Sequence, residues 1–245
     1  MADDIIIQAD NVKKRYRMGN EEVWALKGIS LEIHRSEFIS IMGPSGSGKS
    51  TFFNQIGALD MPTEGRVFFE GQSLFDLSES QQSWIRCNKI GYIFQTYNLV
   101  QVMSAVQNVM LPIMFSGVPK REAHEKAAQV LTKVGLGERL DHKPFELSGG
   151  QQQRVAIARA LANTPDVILA DEPTGNLDTR TGTEIIEILK KLNSDDGVTI
   201  ICSTHDHKML ASSNRVCWIR DGKLEKITRR EDFKLEDMAP DTLGR

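Results

Sequence analysis

The chain has 245 residues, and its 30 Lys and Arg against 33 Asp and Glu give a formal net charge of −3. This near balance gives no sign of a protein that coats nucleic acid, which would carry a strong basic excess. With 40% apolar and 26% charged residues, the composition is that of an ordinary globular protein, which argues against disorder as the main state. The three cysteines form no CxxC pair, so neither a disulfide framework nor a zinc cluster is expected.

The sequence offers no segment of the length that a membrane span requires. The first residues, MADDIIIQAD, lack the basic region and the long apolar core of a signal peptide. The densest apolar stretch, from Val109 to Phe115, is interrupted by Pro112, and a span needs about 20 apolar residues. We therefore expect that the chain does not cross a bilayer by itself.

Short apolar runs alternate with longer amphipathic stretches along most of the chain. The helical stretches, at 121–134 and 181–193, repeat apolar residues at helical spacing. Buried strands that alternate with helices predict a parallel α/β sheet with right-handed crossovers. The runs that read as buried strands are 38–42, 90–94, 167–170, 198–202 and 216–219.

Three parts of the chain depart from this alternation. Segments 5–9, 29–33 and 66–70 read as additional strands, which predicts an antiparallel layer. Residues 96–147 read as mostly helical, and we expect them to form a lobe inserted between core strands. The last 20 or so residues are charged and are interpreted as a fraying fringe.

A glycine-rich loop follows the first predicted buried strand and precedes a helical run from Thr51. Glycines let the backbone curl so that its N–H groups point at phosphate oxygens, and a helix N-terminus adds partial positive charge. Lys49 is expected to reach the β- and γ-phosphates, and Ser50 to bind Mg²⁺. The motif is G-x-x-x-x-G-K-[ST]. Its residues are Gly43, Pro44, Ser45, Gly46, Ser47, Gly48, Lys49 and Ser50.

An acidic pair, Asp171 and Glu172, ends the buried strand at 167–170. Asp171 is expected to hold Mg²⁺ through water. Glu172 is placed to orient or deprotonate the water that attacks the γ-phosphate. A solvated strand end would explain a lone acidic pair, but a phosphate loop elsewhere in the chain needs such a partner.

A second phosphate-type loop, Ser148-Gly149-Gly150-Gln151, opens another helical pattern. A Ser-Gly-Gly helix start is a ready anion site, although in isolation it is more often an N-cap without a ligand. The chain thus has two such loops, but one lysine and one acidic pair to complete a nucleotide site. Two chains arranged head to tail, each closing the partner's nucleotide, would solve this, and a C2 dimer forms both sites.

These motifs together resemble the ATP-binding-cassette family over about residues 5–227. The matching runs are GPSGSGKST at 43–51, LSGGQQQRVAIARAL at 147–161 and ILADEPTGNLD at 168–178. The resemblance implies a P-loop NTPase (RecA-like) α/β core with a parallel sheet, an N-terminal antiparallel β layer and an inserted α-helical subdomain at about 96–150. The resemblance also implies that Thr51 binds the nucleotide. Residues 228–245 are expected to form a charged tail.

The family pattern also implies roles for four further residues. Gln95 matches the glutamine that senses Mg²⁺ or water and communicates with the membrane partner. His205 matches the switch histidine at the γ-phosphate, and Asp178 matches the aspartate that crosses the dimer seam. Tyr16 matches the aromatic residue that stacks on adenine, which is physically reasonable for a planar base.

Segments 56–65, 94–99 and 108–112 resemble the lipoprotein-release and macrolide-export branch of the family. That branch implies ATP and Mg²⁺ as cofactors, an ATP-dependent homodimer and no nucleic acid. It also implies a separate membrane permease with a large periplasmic domain, through which alone the ATPase contacts the membrane. The expected location is therefore the cytoplasmic face of the inner membrane.

Two functions of such an ATPase stay open. The permease either exports a substrate or transports nothing and pulls on periplasmic enzymes, as in the similar cell-division system. A chromosome or DNA-repair ATPase would need long coiled-coil heptads between its two halves. A nucleotide kinase or GTPase would leave the Ser-Gly-Gly motif and His205 unexplained.

The sequence departs from the family pattern at a turn before the phosphate loop. Ser36 stands where the family usually has glycine. Serine lacks the freedom of glycine at positive φ, so we expect a small loss of stability at this position and no effect on catalysis.

Overall fold

The computed structural model describes residues 4–19 and 21–232. The described residues form two compact units, the first made of residues 4–19, 21–82 and 201–232 and the second of residues 83–200. Helix α2 (Glu79–Asn88) and strand β8 (Thr199–Ser203) each begin in one unit and end in the other. Most of the predicted tail, from residue 233 onward, lies outside the described residues.

An antiparallel sheet forms one layer of the first unit. Its strands are β1 (Ile5–Met18), β2 (Glu21–His34), β4 (Glu64–Phe69) and β5 (Gln72–Ser73), in the spatial order β2-β1-β4-β5. Strand β1 pairs with β2 along its length, from Ile5 opposite His34 to Met18 opposite Glu21. This confirms the predicted antiparallel layer, with strands longer than the apolar segments alone indicated.

The first unit also contains the fully buried strand β3 (Phe38–Met42), which leads into helix α1 (Lys49–Ile56). Strand β3 pairs in parallel with β9 (Arg215–Arg220), as expected of an α/β core. Strand β9 then turns back into the antiparallel strand β10 (Lys223–Arg229), which was not predicted. The predicted domain boundary at residue 227 therefore falls inside a strand.

A short helix, α7 (His207–Ser212), contributes to the core of this unit. Its Leu210 is buried in a cluster with Met42, Val216 and Trp218. The cluster lies where β3 ends, and thus anchors the strand immediately before the glycine-rich loop.

The second unit combines parallel strands with helices. Strand β6 (Ile90–Ile93) pairs in parallel with β7 (Val167–Asp171). Helix α5 (Gly149–Leu161) lies at the centre of the second unit, because it contacts β6 and three other helices and buries most of its side chains. The helices are α3 (Ala105–Phe115), α4 (Lys120–Lys133), α5 (Gly149–Leu161) and α6 (Thr179–Ser194).

Polar side chains start the helices of the second unit. Ser104 begins α3 and Ser148 begins α5 with capping boxes, in which a glutamine three residues later completes the reciprocal bonds. Asp178 accepts the first N–H groups of α6. The helical segment predicted at 96–147 is confirmed as α3, α4 and single turns of 3-10 helix.

Among the described residues, every helix is too short or too polar to span a membrane.

Candidate functional site

The phosphate loop lies in the first unit between β3 and α1, as its spacing predicts. Gly46 and Gly48 have left-handed φ values of 76° and 106°, which a curled loop requires. The Nζ of Lys49 donates to the carbonyl oxygens of Gly43 at 2.6 Å and Pro44 at 3.0 Å. The lysine ammonium is thus held over the loop by two of the loop's own carbonyl groups, and its contact with phosphate remains a prediction.

The loop is confined by backbone on more than one side. A Cβ on Gly43 would lie 2.0 Å from the carbonyl oxygen of Ile219, and one on Gly48 would lie 2.7 Å from that of Ala25. The N–H of Gly222, in the turn between β9 and β10, donates to the carbonyl of Ser47 at 2.9 Å. Gly43 and Gly48 therefore allow neighbouring backbone to approach the loop closely, in addition to allowing the loop to curve.

The residues of the loop fit a nucleotide phosphate with Mg²⁺. The Ser47 hydroxyl is buried and has no hydrogen-bond partner, which leaves a polar atom for a bound group to satisfy. Helix α1 has no acidic residue in its first turn, so its N-terminal partial charge is uncompensated. The exposed hydroxyl of Ser50 suits a hard cation.

Mg²⁺ binding at Ser50, Gln95 and Asp171 remains a prediction. No group of three or more His, Cys, Asp or Glu side chains within residues 4–19 and 21–232 could hold a metal by itself. Protein sites for Mg²⁺ commonly use one or two side chains together with phosphate oxygens and water, which agrees with the donors predicted here.

Tyr16 lies beside the phosphate-loop helix. Its hydroxyl donates to Asp60 Oδ2 at 3.1 Å, and the Nζ of Lys14 lies 5.3 Å from its ring centroid. Burial raises the pKa of Tyr16, and a hydrogen bond with the Thr51 side chain opposes that rise. Tyr16 as a whole is 37% exposed. Adenine stacking by Tyr16 remains a prediction.

His205 is exposed in the loop that follows β8. The N–H of the preceding residue, Thr204, donates to the carbonyl of Ile41 in β3 at 3.3 Å. The histidine thus follows a segment that is attached to the strand leading into the phosphate loop.

The second unit brings Gln95 and Glu172 together around Gly175. A Cβ on Gly175 would lie 3.0 Å from Gln95 Nε2 and 3.4 Å from Glu172 Oε2. Glu172 has a left-handed φ of 44°, and its carbonyl accepts from the Gly175 N–H at 3.0 Å. Asn176 Nδ2 donates to the Gln95 carbonyl at 2.9 Å. Asp171 is the last residue of β7.

The Ser-Gly-Gly-Gln motif forms the start of α5. Ser148 is exposed, and its hydroxyl accepts from the Gln151 N–H at 3.3 Å. Gly149 lies against Tyr97, whose Oη would be 3.1 Å from a Cβ at this position. Gly150 is buried, and a Cβ there would lie 2.2 Å from Thr181 Cγ2. The motif's glycines therefore allow neighbouring side chains to approach the helix start.

Asp178 caps α6 within its own chain. Its carboxylate accepts from the hydroxyl of Thr181 at 2.6 Å and from the backbone N–H groups of Arg180 and Thr181, each at 3.0 Å. These bonds, first the one from the Thr181 hydroxyl, lower the pKa of Asp178. The role of Asp178 across a dimer seam remains a prediction.

Two residues of α5 were missed by sequence reasoning, although both contact the loops that carry predicted site residues. Gln153 is fully buried and donates to the Pro173 carbonyl at 2.6 Å. Arg159 donates to the carbonyls of Tyr97 and Asn98. Gln153 could have been found from the sequence, because a polar residue four positions before Ile157 lies on the buried side of the helix.

Comparison with known proteins identifies the family. The family model described as ABC transporter matches residues 26–175. An ABC transporter ATP-binding protein of Thermotoga maritima is 48% identical over 225 residues, which cover 92% of this chain and 96% of that protein.

The macrolide export ATP-binding/permease protein MacB of Syntrophobacter fumaroxidans is 48% identical over 222 residues. The match covers 90% of this chain but only 31% of MacB, so the chain spans about a third of that relative.

A solved structure of a similar cassette matches the chain along most of its length. The Methanocaldococcus jannaschii cassette MJ0796, a dimer in a post-hydrolysis state with ADP and Pi, is 45% identical and gives a TM-score of 0.86. The match covers 93% of this chain and 100% of the solved chain.

Proposed function

The chain belongs to the ABC transporter family and is an ATP-hydrolysing cassette, and we propose that two copies of it drive a separate membrane permease. The observation that carries the proposal is the second anion-binding helix start. Ser148 is exposed before α5, and α5 has no acidic residue in its first turn. Like α1, this helix therefore presents an uncompensated N-terminal dipole to an anion.

The proposal of a dimer follows from the number of phosphate-binding and catalytic motifs in the chain. The chain has two helix starts suited to phosphate, but one phosphate-loop lysine, Lys49, and one acidic pair, Asp171 and Glu172. In a C2 dimer the Ser148–Gly150 motif of each chain closes over the nucleotide held by its partner, so that both sites are complete. The dimeric state of MJ0796 supports this arrangement.

The residues of the chain divide the work of hydrolysis. Lys49 exchanges the carbonyls of Gly43 and Pro44 for phosphate oxygens and neutralises their charge. When bound, Mg²⁺ supplies Lewis-acid stabilisation of the phosphate charge. Glu172 accepts the proton of the attacking water and His205 helps to orient that water. Asp178 reaches toward the partner from the start of α6.

Chemistry then drives conformational change. ATP joins the two chains, since each nucleotide is contacted by both. Hydrolysis divides the polyphosphate that bridges them, and the seam loosens. In this proposal the permease is moved by this closing and opening through the segment after Gln95, and the chain lies at the cytoplasmic face of the inner membrane.

The likeness to MacB, which is called a macrolide export protein, supports an export-type system of the macrolide or lipoprotein-release kind. The permease would then carry a large periplasmic domain. Co-purification of the permease decides this finer proposal. If the co-purified permease moves no substrate but activates periplasmic enzymes, the function of the ATPase is mechanical and not export.

The central test uses Glu172→Gln in light scattering, with and without ATP and Mg²⁺. We expect this variant to bind ATP, to shift from monomer to dimer with ATP, and to hydrolyse at least about 100-fold more slowly, because its general base is lost. Glu187→Gln, which alters an exposed carboxylate paired with Lys190 on α6, is the matched control and should hydrolyse normally. ATP binding without dimerisation would contradict the shared-site proposal.

A further inference from the structure

Arg159, in the second half of α5, holds two consecutive carbonyl groups of another segment. Its Nη1 donates to the Asn98 carbonyl at 2.6 Å and its Nη2 to the Tyr97 carbonyl at 2.8 Å. Burial lowers the pKa of the guanidinium, which nevertheless stays charged because arginine titrates far above neutral pH. Both contacts are therefore charge-assisted hydrogen bonds from one planar group.

The two carbonyls belong to residues in an unfavourable backbone conformation. Tyr97 and Asn98 have φ values of 60° and 48°, in the left-handed region that residues with a Cβ seldom adopt. Such a conformation persists only where surrounding contacts maintain it. Arg159 supplies two of those contacts, and they arise from a helix rather than from the loop itself.

The loop 95–98 is also attached to the opposite end of the same helix. Tyr97 Oη lies against Gly149, the first residue of α5, at 3.1 Å from the position of a Cβ. The helix has 13 residues and is thus about 20 Å long. The loop 95–98 thus contacts α5 near both ends of the helix, one of which is the Ser-Gly-Gly motif.

We propose that Arg159 is a positioning residue that couples the two ATP sites of the dimer, an inference that rests on the proposed function. The Ser148–Gly150 motif at the start of α5 serves the partner's ATP, whereas Gln95, at the start of the loop 95–98, serves the chain's own ATP. A partner's nucleotide that displaces α5 therefore displaces Gln95. Because binding coupling is reciprocal, occupation of each site alters the affinity of the other.

The coupling has a measurable consequence. ATP hydrolysis by a dimer with two coupled sites rises with ATP concentration with a Hill coefficient between 1 and 2. Arg159→Met keeps an unbranched side chain of similar volume but removes both hydrogen bonds. We expect a wild-type Hill coefficient clearly above 1, a lower value for Arg159→Met, and a kcat about tenfold lower, with ATP binding to the monomer unchanged.

The experiment measures steady-state hydrolysis over a range of ATP concentrations, with calorimetric ATP binding and urea unfolding of each variant. Arg154→Met is the matched control. It lies on the same helix and also loses a carbonyl contact, to Val134 at 2.9 Å, and an ion pair with Glu184 at 2.8 Å. Neither partner lies in the loop 95–98, so its Hill coefficient should equal that of the wild type.

Two further variants keep the test decisive if Arg159→Met does not fold. Arg159→Lys retains one charged donor and should recover part of the cooperativity. Tyr97→Ala removes the contact with Gly149 while leaving Arg159 intact, and should also lower the Hill coefficient. Unchanged cooperativity in the folded Arg159 and Tyr97 variants, or a Hill coefficient of 1 for the wild type, overturns the coupling. Absence of wild-type hydrolysis, or of dimerisation by Glu172→Gln, would instead contradict the proposed function.

Discussion

The side-chain amide of Gln153 donates to the carbonyl oxygen of Pro173 at 2.6 Å, in the interior of the second unit. Gln153 belongs to the helix that follows the Ser-Gly-Gly motif, and Pro173 directly follows Glu172. One hydrogen bond thus joins the helix of the Ser-Gly-Gly motif to the residue beside the proposed general base.

Replacing Gln153 by leucine should affect catalysis and stability together. The buried Pro173 carbonyl would lose its donor, so we expect a loss of about 1–2 kcal/mol in the free energy of unfolding. Because Glu172 is adjacent, kcat should fall while KM for ATP changes little. Urea unfolding and steady-state kinetics measure the two effects.

The matched control for this prediction is Gln82→Leu. Gln82 donates to the carbonyls of Leu74 and Leu77, both at 3.0 Å, in the first unit. This variant should lose stability but keep kcat. If Gln153→Leu also keeps its kcat, the hydrogen bond to Pro173 serves the fold alone.

The close contact between Gly150 and Thr181 predicts the combined effect of a pair of substitutions. Gly150→Ala would place a methyl 2.2 Å from Thr181 Cγ2, and Thr181 cannot rotate without losing its bond to Asp178. We expect a loss of about 1–3 kcal/mol from overpacking. Thr181→Ser removes Cγ2, keeps the hydroxyl and should restore most of this stability. A double-mutant cycle measures the interaction, and additive effects would show that the clash lies elsewhere.

Two glycines of the phosphate loop should respond differently to alanine. Gly46→Ala meets no atom within 4 Å and incurs only the strain of a left-handed φ, about 1–2 kcal/mol. Gly43→Ala would collide with the backbone oxygen of Ile219 at 2.0 Å, so we expect a loss of about 3 kcal/mol or more and no ATP binding. Thermal unfolding and calorimetric ATP titration test both variants. Equal losses would contradict the assignment of close packing to Gly43.

The prediction for Tyr16 separates its ring from its hydroxyl. Stacking on adenine is worth about 0.5–1.5 kcal/mol, so Tyr16→Ala should raise KM for ATP about threefold to tenfold. Tyr16→Phe keeps the ring and removes the hydrogen bonds of the hydroxyl with Asp60 and Thr51, and its KM should stay within about twofold of the wild type. A KM unchanged in Tyr16→Ala would place adenine elsewhere.

The sequence predicted those features that depend on local pattern. Buried strands were found because parallel strands carry continuous apolar runs, and the first of them, β3, was located residue by residue. The turn at Ser36 was also predicted, and its φ of 55° confirms that serine adopts a conformation suited to glycine.

Features that depend on tertiary contact were not predicted. Strand β10 is mostly exposed and charged, so it lacks the apolar run that identified the other strands. Arg159 lies within the run 147–161, but its contacts were not predicted, because its two carbonyl partners lie about 60 positions earlier in the chain. Local patterns contain no information on which distant carbonyl a side chain will reach.

The hydrogen bond from Gly222 to Ser47 has a consequence for biosynthesis. On a ribosome the phosphate loop is complete after about 50 residues, whereas the turn that supports it emerges only after β9, more than 150 residues later. Contacts of such large sequence separation form late in folding. The phosphate loop therefore gains the hydrogen bond from Gly222 only after nearly the whole chain has been synthesised. A chain whose synthesis stops before residue 222 has a phosphate loop that lacks this bond.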